Sequence, residues 1–270
     1  MPTVHHAVPP HPLRTSWPRP GRALRAAPWW LGAGLVAVQV VFPLAGGTLP
    51  LTLAAVYLFA LASVVHALVH RGPVAAGALV VVAGGGGLLV EAVGLTTGFP
   101  FGSYAYSGTL GPELLGVPAV VPAAWTMMAY PALLVGRRLG TGWWSRVGVG
   151  AWALASWDVF LDPQMVDAGH WRWSDPTPSL PGVEGIPLTN FAGWLLVAAL
   201  MIAVLDRVTG RRDEPDDRLP YALYLWTYAS SVLAHLVFFG RPSVAFVGAV
   251  LMGLVALPLA TGLRRRGTGG

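Results

Sequence analysis

The residues able to do chemistry in this chain are few and spaced to meet. Asp158 and Asp162 stand four apart, so on a helix both carboxyls point to one face, which Ala151 and Ala155 extend. Two carboxyls that close in a poorly solvated place do not both ionise comfortably, which leaves a protonated acid beside an ionised base. Glu91 lies in an apolar stretch with Gly84, Gly87, Gly94 and Gly98 on its helical face, a pattern that fits either a slender ligand or close helix packing. Tyr224, Tyr228, Ser231 and His235 recur at helical spacing and draw a polar stripe. Asn190 opens another apolar run, where it caps a helix or joins the acids. Carboxylates and imidazole suit iron or manganese, but with one buried His and no Glu-x-x-His pair no metal centre is expected.

Membrane spans must position these groups. Of 270 residues 54% are hydrophobic and 11% charged, and the mean hydropathy is +0.60, a balance that makes lipid the solvent. Apolar runs near 29–46, 49–69, 74–97, 117–136, 143–164, 188–206, 219–239 and 244–262 each approach the ~20 residues that cross a bilayer core. The expected fold is an all-α polytopic bundle of about eight spans, or seven if the first is cleaved as a signal peptide. Residues 1–27 read as a disordered basic tail, 28–263 as the transmembrane domain and 264–270 as a basic C-terminal tail.

Charge placement tests that count. With the N-terminus inside, fifteen of the seventeen basic residues, all arginine, fall in cytoplasmic segments, leaving Arg172 and Arg241 outside. Both termini are then cytoplasmic, in a plasma-membrane protein. The long loops near 98–116 and 165–187 lie on the outer face, serving as an aromatic belt or as a structured lid. The third, fifth and seventh spans run outward, bringing Glu91, Asp158, Asp162 and His235 to similar depth. An ionisable side chain there costs on the order of several kcal/mol unless paired or hydrated, so each is a functional candidate. His66, beside His70 and Arg71, is expected at the inner interface.

The composition excludes whole classes. Without lysine there is no retinal or pyridoxal Schiff base and no P-loop. Without cysteine there is no disulfide, thiolate metal site or iron–sulfur cluster. The sequence pI is about 10.1, but the arginines punctuate apolar segments rather than gather on a polar face, so no nucleic-acid partner is expected.

The loops carry a resemblance. Gly98 to Tyr106 (GFPFGSYAY), Trp125 to Pro131 (WTMMAYP), Trp157 to Met165 (WDVFLDPQM), Gly169 to Trp173 (GHWRW), Gly185-Ile186-Pro187 and Asn190 to Trp194 (NFAGW) together are similar to the integral-membrane carotenoid 1,2-hydratase family. The resemblance implies addition of water to the terminal 1,2 double bond of an acyclic carotenoid dissolved in the bilayer, with no cofactor, beside other carotenoid biosynthesis enzymes. It supplies no residue roles. Such hydration needs an acid for C2, tolerance of a tertiary cation at C1 and a base for the attacking water. Asp158 or Asp162 can be the acid, Asp158 first, while its partner or Glu91 orients water. Tyr104, Tyr106, Trp125, Trp157 and Trp171 offer aromatic faces to the cation, with Asn190 and His235 as further substrate contacts. Two other readings stay open: an intramembrane prenyltransferase or carotenoid cyclase, and a proton-coupled transporter, although no internal repeat supports the last.

Overall fold

The computed structural model describes residues 21–210 and 216–267. Helix α1 is Arg22–Leu44 and α2 Leu49–Arg71. The third rod is continuous through α3 (Pro73–Ala78), a π-helical stretch (Leu79–Gly85) and α4 (Gly86–Thr97). Then follow α5 (Val120–Leu139), α6 (Trp143–Asp167), α7 (Leu188–Val208), α8 (Arg218–Val237) and α9 (Pro242–Gly267). The architecture is all-α, and its long rods coincide with the apolar runs of the sequence. Helix α1 begins at Arg22, within the segment expected as tail, while residues 1–20 lie outside the described residues.

Among the described residues, five rods are long and apolar enough to cross a membrane: Arg22–Leu44, Leu49–Arg71, Pro73–Thr97, Leu188–Val208 and Pro242–Arg265. Helices α5, α6 and α8 fall below that apolarity because they carry the polar groups: the acids of α6, the tyrosines and His235 of α8, Arg137 and Arg138 of α5. Helix α5 packs against α2, α6, α8 and the π-helical stretch, and most of its side chains are buried. Its contact with α6 is backbone to backbone. A Cβ at Gly136 would lie 2.4 Å from the Arg146 carbonyl oxygen, and one at Gly150 3.2 Å from the Ala132 oxygen, the small-residue packing that brings membrane helices close.

The segments between α4 and α5, and between α6 and α7, meet at one end of the bundle. Gly98, left-handed at φ +74°, ends α4. Strand β1 (Tyr104–Tyr106) then pairs antiparallel with β4 (Trp171–Trp173), Tyr104 opposite Trp173 and Tyr106 opposite Trp171. Short ribbons β2 (Glu113–Leu114) with β3 (Val117–Pro118), and β5 (Ser179–Leu180) with β6 (Val183–Pro187), complete the cap. The loops are therefore a lid rather than a loose aromatic belt. Alternation along β1 and β4 turns four aromatic rings inward and leaves Ala105 and Arg172 exposed.

The opposite end is tied by buried charge. Arg71 donates to both oxygens of Asp217 at 2.7 and 2.9 Å and to the Tyr130 hydroxyl at 2.6 Å. His66, expected at the inner interface, is enclosed at that end of the bundle, between Tyr130 Oη at 3.0 Å and the Asp216 carbonyl at 2.9 Å. Its ring is sequestered because α2, α5 and the start of α8 converge on it. Arg137 and Arg146 share Asp206.

The α5–α6 contact makes a clean test. Gly136→Ala should destabilise the protein by about 1–3 kcal/mol, since backbone must move. Gly148→Ala, where nothing lies within 4 Å of the new methyl, should be neutral or gain up to about 1 kcal/mol. Thermal unfolding in detergent distinguishes the two.

Candidate active site

Three carboxyls converge beneath the lid. Glu91 comes from α4, and each of its oxygens is bonded. Oε2 accepts from the Tyr104 hydroxyl at 2.5 Å and the Tyr106 hydroxyl at 3.0 Å, and Oε1 from the Trp125 indole at 3.1 Å. Burial and the neighbouring Glu91 carboxyl push both phenols above their ordinary range, so each stays a donor. Asp158 and Asp162 leave α6 one turn apart and are linked by Asn190 of α7. Its side-chain nitrogen donates to Asp158 Oδ2 at 2.8 Å and Asp162 Oδ2 at 2.5 Å. The second oxygen of Asp162 accepts from the Trp171 indole at 3.2 Å. Asp158 is fully buried, and its Oδ1 has no hydrogen-bond partner.

The lid ribbon couples these acids. Tyr106 and Trp171 are cross-strand partners whose rings meet edge to face with centroids 5.7 Å apart, and one holds Glu91 while the other holds Asp162. The register of β1 on β4 therefore sets where two carboxyls from different helices stand.

A cavity of about 70 Å³ opens among these groups. Glu91, Asp162, Asn190, Tyr104, Tyr106, Trp125 and Trp171 line it. Asp158 does not: it sits behind Asp162, which is the member of the pair on the wall. Trp157 and His235 are not brought here either. They line a second cavity of about 320 Å³ between α1, α2, α6 and α8. Trp157 backs the first cavity only indirectly, edge-on to Trp194 at 6.2 Å. The carboxyls and His235 thus do not converge as one ligand set, and among the described residues no group of three or more His, Asp or Glu is arranged to hold a metal.

Three aromatic wall residues escaped sequence reasoning as site residues, Phe101, Trp173 and Trp194, besides smaller and aliphatic ones such as Thr52 and Leu161. Trp194 stacks on Trp125 with centroids 3.9 Å apart and planes 12° from parallel. The signals were present: Trp171-Arg172-Trp173 alternates as a strand whose two indoles share a face, and Trp194 follows Asn190 by one helical turn. The glycine stripe around Glu91 proves to be packing surface. A Cβ at Gly87 would strike the Trp125 ring at 2.6 Å, and one at Gly94 would meet the Tyr104 hydroxyl at 3.0 Å. In the polar stripe of α8, Tyr224 and Tyr228 donate to the Ala153 and Ala249 carbonyls and are structural, while Ser231 and His235 face the larger cavity.

Residues 49–260 match the family described as carotenoid biosynthesis protein. Over 123 residues the chain is 32% identical to a bisanhydrobacterioruberin hydratase of Haloarcula japonica, a match covering 43% of this chain and 40% of that protein. The aligned region is thus under half of that relative's length. No solved structure matches the chain.

Asn190 is the single donor common to both aspartates. Asn190→Leu, which keeps the volume and removes the amide, should cost about 1–3 kcal/mol for each carboxyl left unbonded, read as a lowered melting temperature. Asn190→Gln should fall between the two.

Proposed function

We propose, from the premise that this chain belongs to the carotenoid biosynthesis protein family, that it adds water across the terminal 1,2 double bond of an acyclic carotenoid. The observation that carries this reading is the placing of Asp162 on the wall of a small aromatic cavity, with Asp158 behind it and Glu91 beside it. On this reading all eight rods span the plasma membrane, both termini are cytoplasmic, and the lid faces outward.

The chemistry follows from the geometry. Two buried aspartates sharing one amide donor hold a proton between them: it rests on Asp158 Oδ1, which finds no donor, and passes across the pair to Asp162, one helical turn away, before the alkene takes it. Asp162 gives the proton to C2, forming the C2–H bond and leaving a tertiary cation at C1. Glu91, whose oxygens accept from three donors, stands beside that charge, and the rings of Trp125, Tyr104, Tyr106 and Trp171 lend it on the order of 0.5–2 kcal/mol each. Water held near Glu91 attacks C1, and the proton it loses returns to the aspartate pair. The sum is alkene plus water to tertiary alcohol, with acid and base regenerated and no redox cofactor consumed.

A cyclase would use the same protonation but keep water from C1. The polar wall formed by Glu91, Tyr106 and Asn190 favours capture by water.

Expression in cells that accumulate lycopene or an acyclic C50 carotenoid should yield pigment heavier by one water per end group. An unchanged pigment profile despite membrane insertion would overturn the assignment. Asp162→Asn should reduce product by roughly 10²–10⁴-fold at normal protein levels, the range for loss of a general acid, and Asp158→Asn should do likewise through the shared proton. Glu91→Gln should also lower turnover, with the altered charge near C1 as the cause.

A further inference from the structure

The larger cavity is unused by the reaction itself, yet it adjoins the reacting one. Thr52, Val56, Leu161 and Met165 line both, so one wall separates or joins the two spaces. Its far side is a rim of Val40 and Leu44 on α1 with Leu233 and Phe238 at the end of α8. These side chains are 49%, 71%, 55% and 47% exposed, on the flank of helices that lipid surrounds. Helix α1 rests chiefly on α2 and touches α8 little. The clasp from Trp226 Nε1 to Gln39 Oε1 at 2.7 Å and the Phe42–Phe239 edge contact at 6.3 Å join the two helices beside the rim.

One polar group in this apolar space is built for a ligand. His235 is 1% exposed, and its Nδ1 meets the Ser231 carbonyl at 2.9 Å. A carbonyl only accepts, so Nδ1 carries the hydrogen. In the neutral ring Nε2 is then a bare acceptor, and it has no hydrogen-bond partner. The ring is held between Phe160 and Phe239, at 5.4 and 5.2 Å, so Nε2 is fixed in orientation. A buried acceptor in a mainly apolar chamber, whose wall also carries Gln39, Gln164, Thr227 and Ser230, suits a donor borne on an apolar chain, and a hydroxyl is such a donor.

We propose that the larger cavity binds the isoprenoid chain of the substrate, admitted sideways from the bilayer between α1 and α8, and that His235 Nε2 accepts a hydrogen bond from a hydroxyl on that chain. The inference rests on the carotenoid reading and adds where the chain lies and which residue discriminates hydroxylated from hydrocarbon chains. His235 is a specificity residue: the reacting double bond lies in the other cavity, beside Asp162.

The test uses full-length protein in lipid nanodiscs with two probes, an acyclic polyene hydrocarbon and its monohydroxylated counterpart. Binding is read by quenching of tryptophan fluorescence, Trp157 and Trp226 lying in the chamber wall. The wild-type protein should prefer the hydroxylated probe by roughly tenfold, the value of one hydrogen bond to a buried acceptor. His235→Leu should erase the preference while hydrocarbon affinity stays unchanged, and His235→Gln, which restores an acceptor oxygen, should recover part of it. Filling the chamber with Ala234→Phe, or with Ala55→Leu if the first fails to fold, should weaken both probes. A wild-type protein without preference, a preference that survives His235→Leu, or binding indifferent to a filled chamber would each overturn the proposal. Failure of hydration alone would leave these binding results intact, so loss of the enzymatic reading and loss of this one are separable.

Discussion

The controlling constraint is that three carboxyls buried in an apolar bundle must each find donors. Bilayer and helix interiors offer none, because helical backbone amides are already bonded to carbonyls. The donors therefore come from side chains: two phenols and an indole for Glu91, an indole for Asp162, and one amide for both aspartates. Three of these five side chains, Tyr104, Tyr106 and Trp171, are delivered by the lid, and a fourth, Asn190, stands in the first turn of α7 just after it, so the lid's fold is subordinate to the charge it must satisfy. Helix spacing follows as well. Trp125 reaches Glu91 because Gly87 leaves room for its ring, and larger residues there would separate donor from acceptor.

Much of the plan was legible in the sequence because membrane spans announce themselves by length and apolarity, and because charge is too scarce to be scattered. Glu91, Asp158 and Asp162 stood out from their cost in such surroundings, and Asn190, read as a helix cap or a companion of the acids, bonds both aspartates. The failures are equally physical. His235 was expected at the depth of the acids but lines the other cavity, and a depth argument carries no azimuth between helices. His66 looked interfacial from its position near a span's end; only the convergence of α2, α5 and α8 reveals that it is enclosed. Trp194 and Phe101 were noticed as parts of motifs, but the stacking that gives Trp194 its place is a pairing between α5 and α7 that no local spacing encodes. Which aspartate faces the cavity is likewise a matter of helix rotation.

The two ends of the bundle divide the labour. At one, Arg71 with Asp217 and Arg137 with Asp206 pair charge with charge, which fixes helix ends without exposing reactive groups. At the other, the acids have no arginine or other cation among their hydrogen-bond partners in the described residues. Neutral donors hold a carboxylate in position while leaving its charge less compensated than an ion pair would. That difference separates a scaffold from a site built of the same residue types.

The small volume beneath the lid has a further consequence. At about 70 Å³, and with roughly 10–15 Å³ for each water position, the chamber has room for only a handful of waters, fewer still if it takes an end group as proposed. Water there is counted rather than bulk: it ceases to be the medium and becomes a stoichiometric reagent, delivered singly. Under the proposed hydration, the outcome at the cation would then depend on occupancy, since one molecule more or fewer separates an alcohol from an alkene.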